Sequence, residues 1–186
     1  MATKQKGVIH PYFQAIGWLE GQLAEKEAGC YQFVTVDGLS LNAIARRKMK
    51  KMLRERPELL GADRPWTVYP KTDRQGHLNS VHITGLGGYS RMGGQVDAFY
   101  ISGRVSIPAQ EAGQITVKIQ PNRPPKTETH QPLPWRSFRP FYVTLQGHLT
   151  EAIEGEIWRF LCQRSGSSLE LIDGSRIKGT GRPQTE

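Results

Sequence analysis

Short stretches of alternating apolar and polar residues dominate this sequence, and they predict β-strands. The pattern is clearest between residues 138 and 173, where Phe141, Val143 and Leu145 are apolar at every second position. This period is typical of a strand with one buried face. Gly147 interrupts the run, as a bulge or a sharp barrel bend requires. The stretch therefore predicts strands joined by tight turns.

The same alternation recurs along the chain and divides it into two series of strands. Glycine and proline, 20 and 12 residues respectively, are scattered between them, which favours many short strands over a helical bundle. The strands of the first series are predicted at residues 12–23, 31–36, 66–69 and 77–84. Those of the second series are predicted at residues 99–107, 115–120, 141–149, 157–164 and 169–172.

One segment has helical periodicity. Leu41, Ile44 and Ala45 begin an apolar face that predicts a helix over residues 41–56, with Ser40 as its cap and Pro57 as its stop. Seven of the eleven residues from 46 to 56 are Lys or Arg and only one is Glu. Like charges four residues apart weaken a helix. We interpret the basic surface as one that an external anion compensates.

These elements predict the organisation of the chain, in which two β-rich units are separated by a glycine-rich segment. The prolines of residues 121–140 exclude a central strand, and a connection of that length is usually functional or disordered. The predicted parts are a flexible N-terminus (1–6), a first β-rich unit with its helix (7–86), a glycine-rich linker (87–95), a second barrel with a proline-rich loop (96–174) and a disordered tail (175–186).

The charge of the chain points to a polyanionic partner. The 186 residues carry a formal net charge of +8, with a pI near 9.7. Nucleic acid is the commonest partner of a globular protein this basic. The alternative is that the basicity serves solubility alone.

The sequence offers little chemistry for catalysis or for a metal. Cys30 and Cys162 are far apart and lack metal-ligand spacing, so we expect two buried, reduced thiols. The five histidines lie in separate segments, and no phosphate-binding loop ending in Lys-Ser or Lys-Thr occurs. No apolar run is long enough for a membrane span, and the N-terminus lacks a secretory signal. We therefore expect a non-enzymatic cytoplasmic protein without cofactor, metal or membrane.

The second series of strands resembles the OB-fold, a small Greek-key barrel that binds oligonucleotides. The resemblance covers Val96 to Asp173 and depends on five strands, a long connection after the second strand, and glycines at 103 and 147 inside the first and third. An OB-fold often carries a helix between its third and fourth strands. Residues 150–156 are too few for one, whereas the first half has its helix in the matching place. The fold class is therefore mainly β with one basic amphipathic helix, as two related OB-like barrels or one elaborated barrel.

Such a resemblance implies aromatic side chains that stack on bases and cations that follow phosphates. Aromatic and basic residues interleave at several places, and we expect Trp66, Phe141, Trp158 and Phe160 to lie in the core. The predicted nucleic-acid-binding residues are Arg46, Arg47, Lys50, Lys51, Arg54, Lys71, Arg74, Tyr89, Arg91, Arg123, Lys126, Trp135, Arg136, Phe138 and Arg139.

Two functional hypotheses follow. The first is a binder of single-stranded nucleic acid, DNA or RNA, because the charge and the interleaved aromatics both suit it. The second is an adaptor that docks an acidic protein partner through the proline-rich loop. A dispersed active site is the least supported reading because the chemistry of a site is missing.

Overall fold

A computed structural model describes residues 13–27, 29–87, 95–107, 113–120, 122 and 140–177. The described part contains ten strands that form a single sheet, and the sheet closes on itself twice. The fold is therefore mainly β, as predicted. The fold also contains one α-helix among these residues.

The first closure is the N-terminal barrel. Its elements are β1 (Gln14–Glu27), β2 (Cys30–Thr35), β3 (Ser40–Ala45), α1 (Arg47–Glu55), a 3-10 helix (Pro57–Leu59), β4 (Arg64–Thr72) and β5 (Leu78–Leu86). The strands pair in the order β1-β2-β3-β5-β4 and return to β1. The β3–β5 pair is parallel and the others are antiparallel. This order is that of a five-stranded OB-like barrel.

The C-terminal barrel repeats the same connectivity. Its strands are β6 (Ala98–Ile107), β7 (Gln114–Ile119), β8 (Phe141–Gln146), β9 (Ile157–Ser165) and β10 (Ser168–Arg176). They pair in the order β6-β7-β8-β10-β9, and β9 returns to β6. The single parallel pair, β8–β10, occupies the place of β3–β5. As the sequence indicated, residues 147–156 form turns where α1 stands in the first barrel.

Glycines allow the two barrels to join along their first strands. β1 pairs antiparallel with β6, from Gln14 opposite Ser102 to Gly17 opposite Phe99. A Cβ atom at Gly17 would lie 2.1 Å from the Phe99 ring, so only glycine lets the ring pack there. In β6, a Cβ at Gly103 would lie 2.6 Å from the carbonyl oxygen of Lys118, because β6 and β7 approach closely at the bend. Gly103 lies inside β6, as predicted, whereas Gly147 follows the end of β8 instead of lying within it.

The buried apolar residues of the two barrels form one hydrophobic cluster. Trp66, Phe99 and Phe160 are fully buried and Trp158 almost so, which confirms three of the four aromatic core predictions. The fourth, Phe141, is only partly buried and packs against the core from its edge. The indole nitrogen of Trp66 donates to the carbonyl oxygen of Gly21 at 3.0 Å, so this large side chain is also satisfied as a donor.

The helix is shorter than predicted, because its first turns belong to a strand. Residues 40–45 form β3, in which Leu41, Ala43 and Ala45 are buried while Asn42 and Ile44 face outward. The apolar positions fit the period of a strand as well as that of a helix. The segment forms a strand because it pairs with β2 and β5. Ser40 is therefore not a helix cap; Arg46 occupies that position without a side-chain hydrogen bond. The helix ends at Glu55, before Pro57, as predicted.

Three smaller expectations also change. Cys30 is exposed, so only Cys162 is a buried thiol. β1 continues to Glu27, beyond its predicted end at residue 23. β10 continues to Arg176, into the segment predicted as a tail. The glycine-rich segment 88–94, residues 123–139 of the proline-rich loop and residues 178–186 of the tail lie outside the described residues.

Candidate nucleic-acid interface

An open groove lies where the two barrels meet, and we call it the inter-barrel groove. Its volume is about 740 Å³. One wall is the end of β4 and the turn that follows it; the other is the outer face of β6, β7 and β8. The lining residues are Lys71, Thr72, Asp73, Arg74, Ser106, Thr116, Phe141, Tyr142 and Thr144.

The groove owes its shape to the β4–β5 turn, which docks on the second barrel. The backbone nitrogen of Thr144 donates to the hydroxyl of Thr72 at 2.8 Å. The side-chain amides of Gln114 and Gln146 both donate to the carbonyl oxygen of Gln75 at 3.0 Å. Gly76 has φ +87° and lies under the Gln146 amide, where a Cβ would come within 2.7 Å. The sequence thus provides a glycine where both conformation and space require it.

The outer face of β7 and β8 is polar, with one exposed aromatic residue. Alternation places Ile115, Val117 and Ile119 in the core, so Lys118 faces outward. Lys118 is the register partner of Tyr142, whose side chain is 45% exposed. An exposed tyrosine beside a lysine is the combination that can stack a base and contact its phosphate.

The opposite wall supplies two cations from the first barrel. Lys71 is half-buried at the end of β4, and Arg74 is exposed in the turn. Among the described residues no carboxylate pairs with Lys71, Arg74 or Lys118, whereas Lys51, Arg56 and Arg176 each have a partner. Asp73 also lines the groove, and its carboxylate accepts from the backbone nitrogens of Gln75 and His77 at 2.9 Å. These hydrogen bonds, with that of the His77 ring, hold the pKa of Asp73 below its ordinary value.

A strip of residues continues from Lys71 over the outer face of β4 and β5; we call Arg46, Tyr69, Lys71 and His82 the β4–β5 strip. The guanidinium of Arg46 stacks on the Tyr69 ring, 4.6 Å from its centroid. Tyr69 is the register partner of His82. Burial, with the charges of Lys71 and Arg46, lowers the pKa of His82. The imidazole is therefore neutral near pH 7, and its buried Nε2 lacks a hydrogen-bond partner within the described ranges.

The remaining helix cations lie apart from the groove lining. Lys50 reaches towards the β1–β2 hairpin, since a Cβ at Gly29 would meet its Nζ. Arg54 lies near Tyr31, whose pKa is raised chiefly by burial and by Glu25. Lys51 pairs with Glu55 at 3.6 Å, and Arg47 is exposed on the first turn. The structure therefore brings together Arg46, Lys71 and Arg74 from the predicted set, but not the whole helix.

Eight predicted site residues lie outside the described residues: Tyr89, Arg91, Arg123, Lys126, Trp135, Arg136, Phe138 and Arg139. Sequence reasoning included neither Lys118 nor Tyr142 among the predicted site residues. Alternation could have found both, because it places them outward on neighbouring strands, but only the register shows that they are adjacent.

Two aspartates in turns, Asp37 and Asp97, form ion pairs with one arginine where the two barrels meet. Arg164, only 5% exposed, binds Asp97 at 2.7 Å and Asp37 at 2.9 Å. Asp37 belongs to the turn after β2, Asp97 precedes β6, and Arg164 lies in β9. We call these three residues the Arg164 clamp, because their ion pairs connect the first barrel to the second. Hydrogen bonds from Arg164 lower the pKa of Asp37 to about 2.

The described ranges contain no group of three or more His, Cys, Asp or Glu residues placed to hold a metal ion. No helix within them is long and apolar enough to cross a membrane.

The second barrel matches a known family. Residues 101–178 match the family described as the cyanobacterial OB-fold-like RNA-binding domain, C-terminal. The single-stranded DNA-binding protein from Thermus aquaticus, in a deletion mutant, aligns over 92% of this chain and 96% of its own, with TM-score 0.43 and 10% identity. A search of curated proteins gives no match. The predicted resemblance to OB-fold nucleic-acid-binding proteins is confirmed by the family match.

Proposed function

We propose, from the match of residues 101–178 to OB-fold-like RNA-binding domains, that this protein binds single-stranded nucleic acid without catalysing a reaction. RNA is the ligand we expect first, because that family is described as RNA-binding. The inter-barrel groove is the proposed binding site. The adaptor hypothesis then becomes an outcome of the tests below.

The observation that carries this proposal is the exposed Tyr142, which lines the groove together with Lys71 and Arg74 and has Lys118 beside it as its register partner. Stacking of a base on an aromatic ring contributes about 1–3 kcal/mol and tolerates any sequence. Cations that lack carboxylate partners need not break an ion pair to contact a phosphate. The four side chains thus combine the two contacts that a single strand requires.

The geometry favours a single strand over a duplex. Bases in a duplex are already stacked on each other, so their faces are closed to a tyrosine side chain. The C-terminal half of β4 and its turn also stand over the β7–β8 face and narrow the approach to Tyr142. An unpaired base can enter this space edge first and lie against the ring.

The first barrel does not repeat the site on its own matching face. The outward residues of β2 and β3 include Gln32, Val34, Ser40, Asn42 and Ile44, none of which is aromatic or basic. We propose that the first barrel contributes through its β4–β5 side instead. The cations of α1, namely Arg47, Lys50, Lys51 and Arg54, remain a separate proposal as a phosphate surface.

Equilibrium binding of a labelled oligouridylate tests the proposal. Tyr142→Ala should weaken binding roughly 5- to 150-fold, as expected when about 1–3 kcal/mol of stacking is lost. Tyr142→Phe should bind like the wild type, since stacking needs the ring and not the hydroxyl. Lys118→Gln and Lys71→Gln should each reduce the slope of log K against log salt by about one.

Arg56→Gln is the matched control, because it also removes one positive charge but from a residue already paired with Glu58 at 3.0 Å. The control should retain both affinity and slope. Equal losses for the control and the groove variants would mean a diffuse charge effect instead of a site. Binding that is absent for RNA and for DNA would favour the adaptor. A triple variant of Arg47, Lys50 and Lys51 to Gln tests the helix independently.

A further inference from the structure

We infer that the bound strand continues from the inter-barrel groove onto the β4–β5 strip, where Arg46, His82 and Lys71 hold one backbone phosphate. The inference rests on the proposed function and extends it to the outer side of the first barrel. It assigns a role to His82, which the groove itself does not use.

The strip is continuous with the groove because Lys71 belongs to both. Tyr69 and Lys71 are two residues apart in β4 and share its outward face, so their Cα atoms are about 7 Å apart. A strand that leaves the groove past Lys71 therefore meets Tyr69 and His82 next, since these two are register partners.

The chemistry of the strip suits a phosphate better than a base. The guanidinium of Arg46 covers one face of the Tyr69 ring, and this stacking holds the guanidinium in a defined orientation. A planar guanidinium held in this way keeps its edge donors for a tetrahedral oxyanion. No carboxylate of the described residues forms an ion pair with Arg46 or Lys71, so neither cation has to break an ion pair to contact a phosphate.

His82 supplies the second, independent observation. The His82 side chain is only partly buried, and its imidazole has no hydrogen-bond partner within the described residues, so the ring can take a phosphate oxygen as a partner. The charged groups near it are Arg46, from the cap of α1, and Lys71, from β4; Tyr69 lies opposite on β4 and the apolar Ile44 on β3. These two cations oppose protonation of the imidazole, and a phosphate between them would remove that opposition.

A comparison of two oligouridylates tests the inference. OB-folds bind about 4–16 nucleotides, so we choose lengths of about 4 and about 16. The 4-mer should occupy the groove alone, and the 16-mer should reach the strip. Arg46→Gln and His82→Gln should weaken the 16-mer roughly three- to tenfold, as for one exposed charge-assisted contact, and leave the 4-mer unchanged. Arg56→Gln is again the control.

A second measurement reads His82 directly. A proton NMR titration should show that the 16-mer raises the pKa of His82. Because the bound form then holds its proton more tightly, affinity for the 16-mer should increase as the pH falls through the histidine range. Affinity for the 4-mer should not show this dependence.

An unchanged His82 pKa, or equal effects of the variants on both lengths, would overturn the inference while Tyr142→Ala still reports on the groove. If the wild type binds neither length with salt dependence, the proposed function fails and the inference fails with it. Circular dichroism melts of each variant identify any loss that comes from unfolding.

Discussion

Replacing Arg164 by Met should loosen the junction between the two barrels. Met keeps the volume and apolar stem of the side chain but removes every donor. In the native protein these donors reach both carboxylates and the carbonyl oxygen of Gly166 at 2.8 Å. The substitution therefore leaves Asp97 and Asp37 without their cation, on either side of the junction.

The size of the effect follows from how deeply each partner lies. The Asp97 side chain is 24% exposed and that of Asp37 is 52% exposed. Loss of one partner costs about 3–5 kcal/mol for a buried pair and about 0–1 kcal/mol for an exposed pair. Asp97 resembles a buried partner and Asp37 an exposed one, so we expect Arg164→Met to lower the free energy of unfolding by about 2–4 kcal/mol. At about 2–4 °C per kcal/mol, the melting temperature should fall roughly 4–16 °C.

The assay is urea denaturation of the wild type, Arg164→Met, Asp97→Asn and Asp37→Asn. Asp97→Asn should cost more than Asp37→Asn, and the double variants with Met should show coupling. A loss below about 0.5 kcal/mol for Arg164→Met, or equal losses for the two aspartates, would refute the argument from burial.

The same variants give a pH test. The folded pKa of Asp37, about 2, lies below its ordinary value of 3.8. A depressed carboxylate pKa contributes stability above the ordinary value, and this contribution is lost as the pH falls from about 4 to about 2. The stability of the wild type should decline over that interval more steeply than that of Arg164→Met. Parallel curves would contradict the assignment.

Three further predictions concern single positions. Gly17→Ala should destabilise by about 1–3 kcal/mol in urea, because its Cβ meets the Phe99 ring, and Phe99→Leu should partly rescue it. Gly76→Ala, at a positive φ and against a β8 side chain, should lower stability by about 1 kcal/mol and weaken oligonucleotide binding in the same preparation. A thiol reagent should modify Cys30 in the native protein, whereas burial, which raises the pKa of Cys162, should protect that thiol until urea unfolds the chain.

Alternation predicted the strands well, because most have one face in a core and one face in solvent. It failed between Leu41 and Ala45, where apolar residues satisfy the strand period and the helix period together. The choice is made by hydrogen bonds to β2 and β5, which are distant in sequence. The closure of the two barrels could not be predicted for the same reason, because it depends on pairing between strands that are distant in sequence.

The candidate site shows the same limit. Lys71 and Arg74 stood out as cations in a turn beside an aromatic strand. Tyr142 and Lys118 did not stand out together, because about two dozen residues separate them and only the β7–β8 register joins them. The sequence did not predict the Arg164 clamp for a related reason. Asp is common in turns, so Asp37 needed no other explanation, and Arg164 is far from it in sequence.

The pairing of β1 with β6 has a consequence for the order in which the chain is synthesised. The ribosome completes β1 to β5 before β6 exists, and domains generally fold as units from the N-terminal side. During that interval the backbone of Gln14 to Gly17 is an unpaired strand edge. The Phe99 ring, which covers Gly17 in the complete protein, has not yet been synthesised. Open edges are templates for unwanted pairing with other chains. A nascent or truncated first half is therefore the form most exposed to aggregation, and the arrival of β6 ends the exposure.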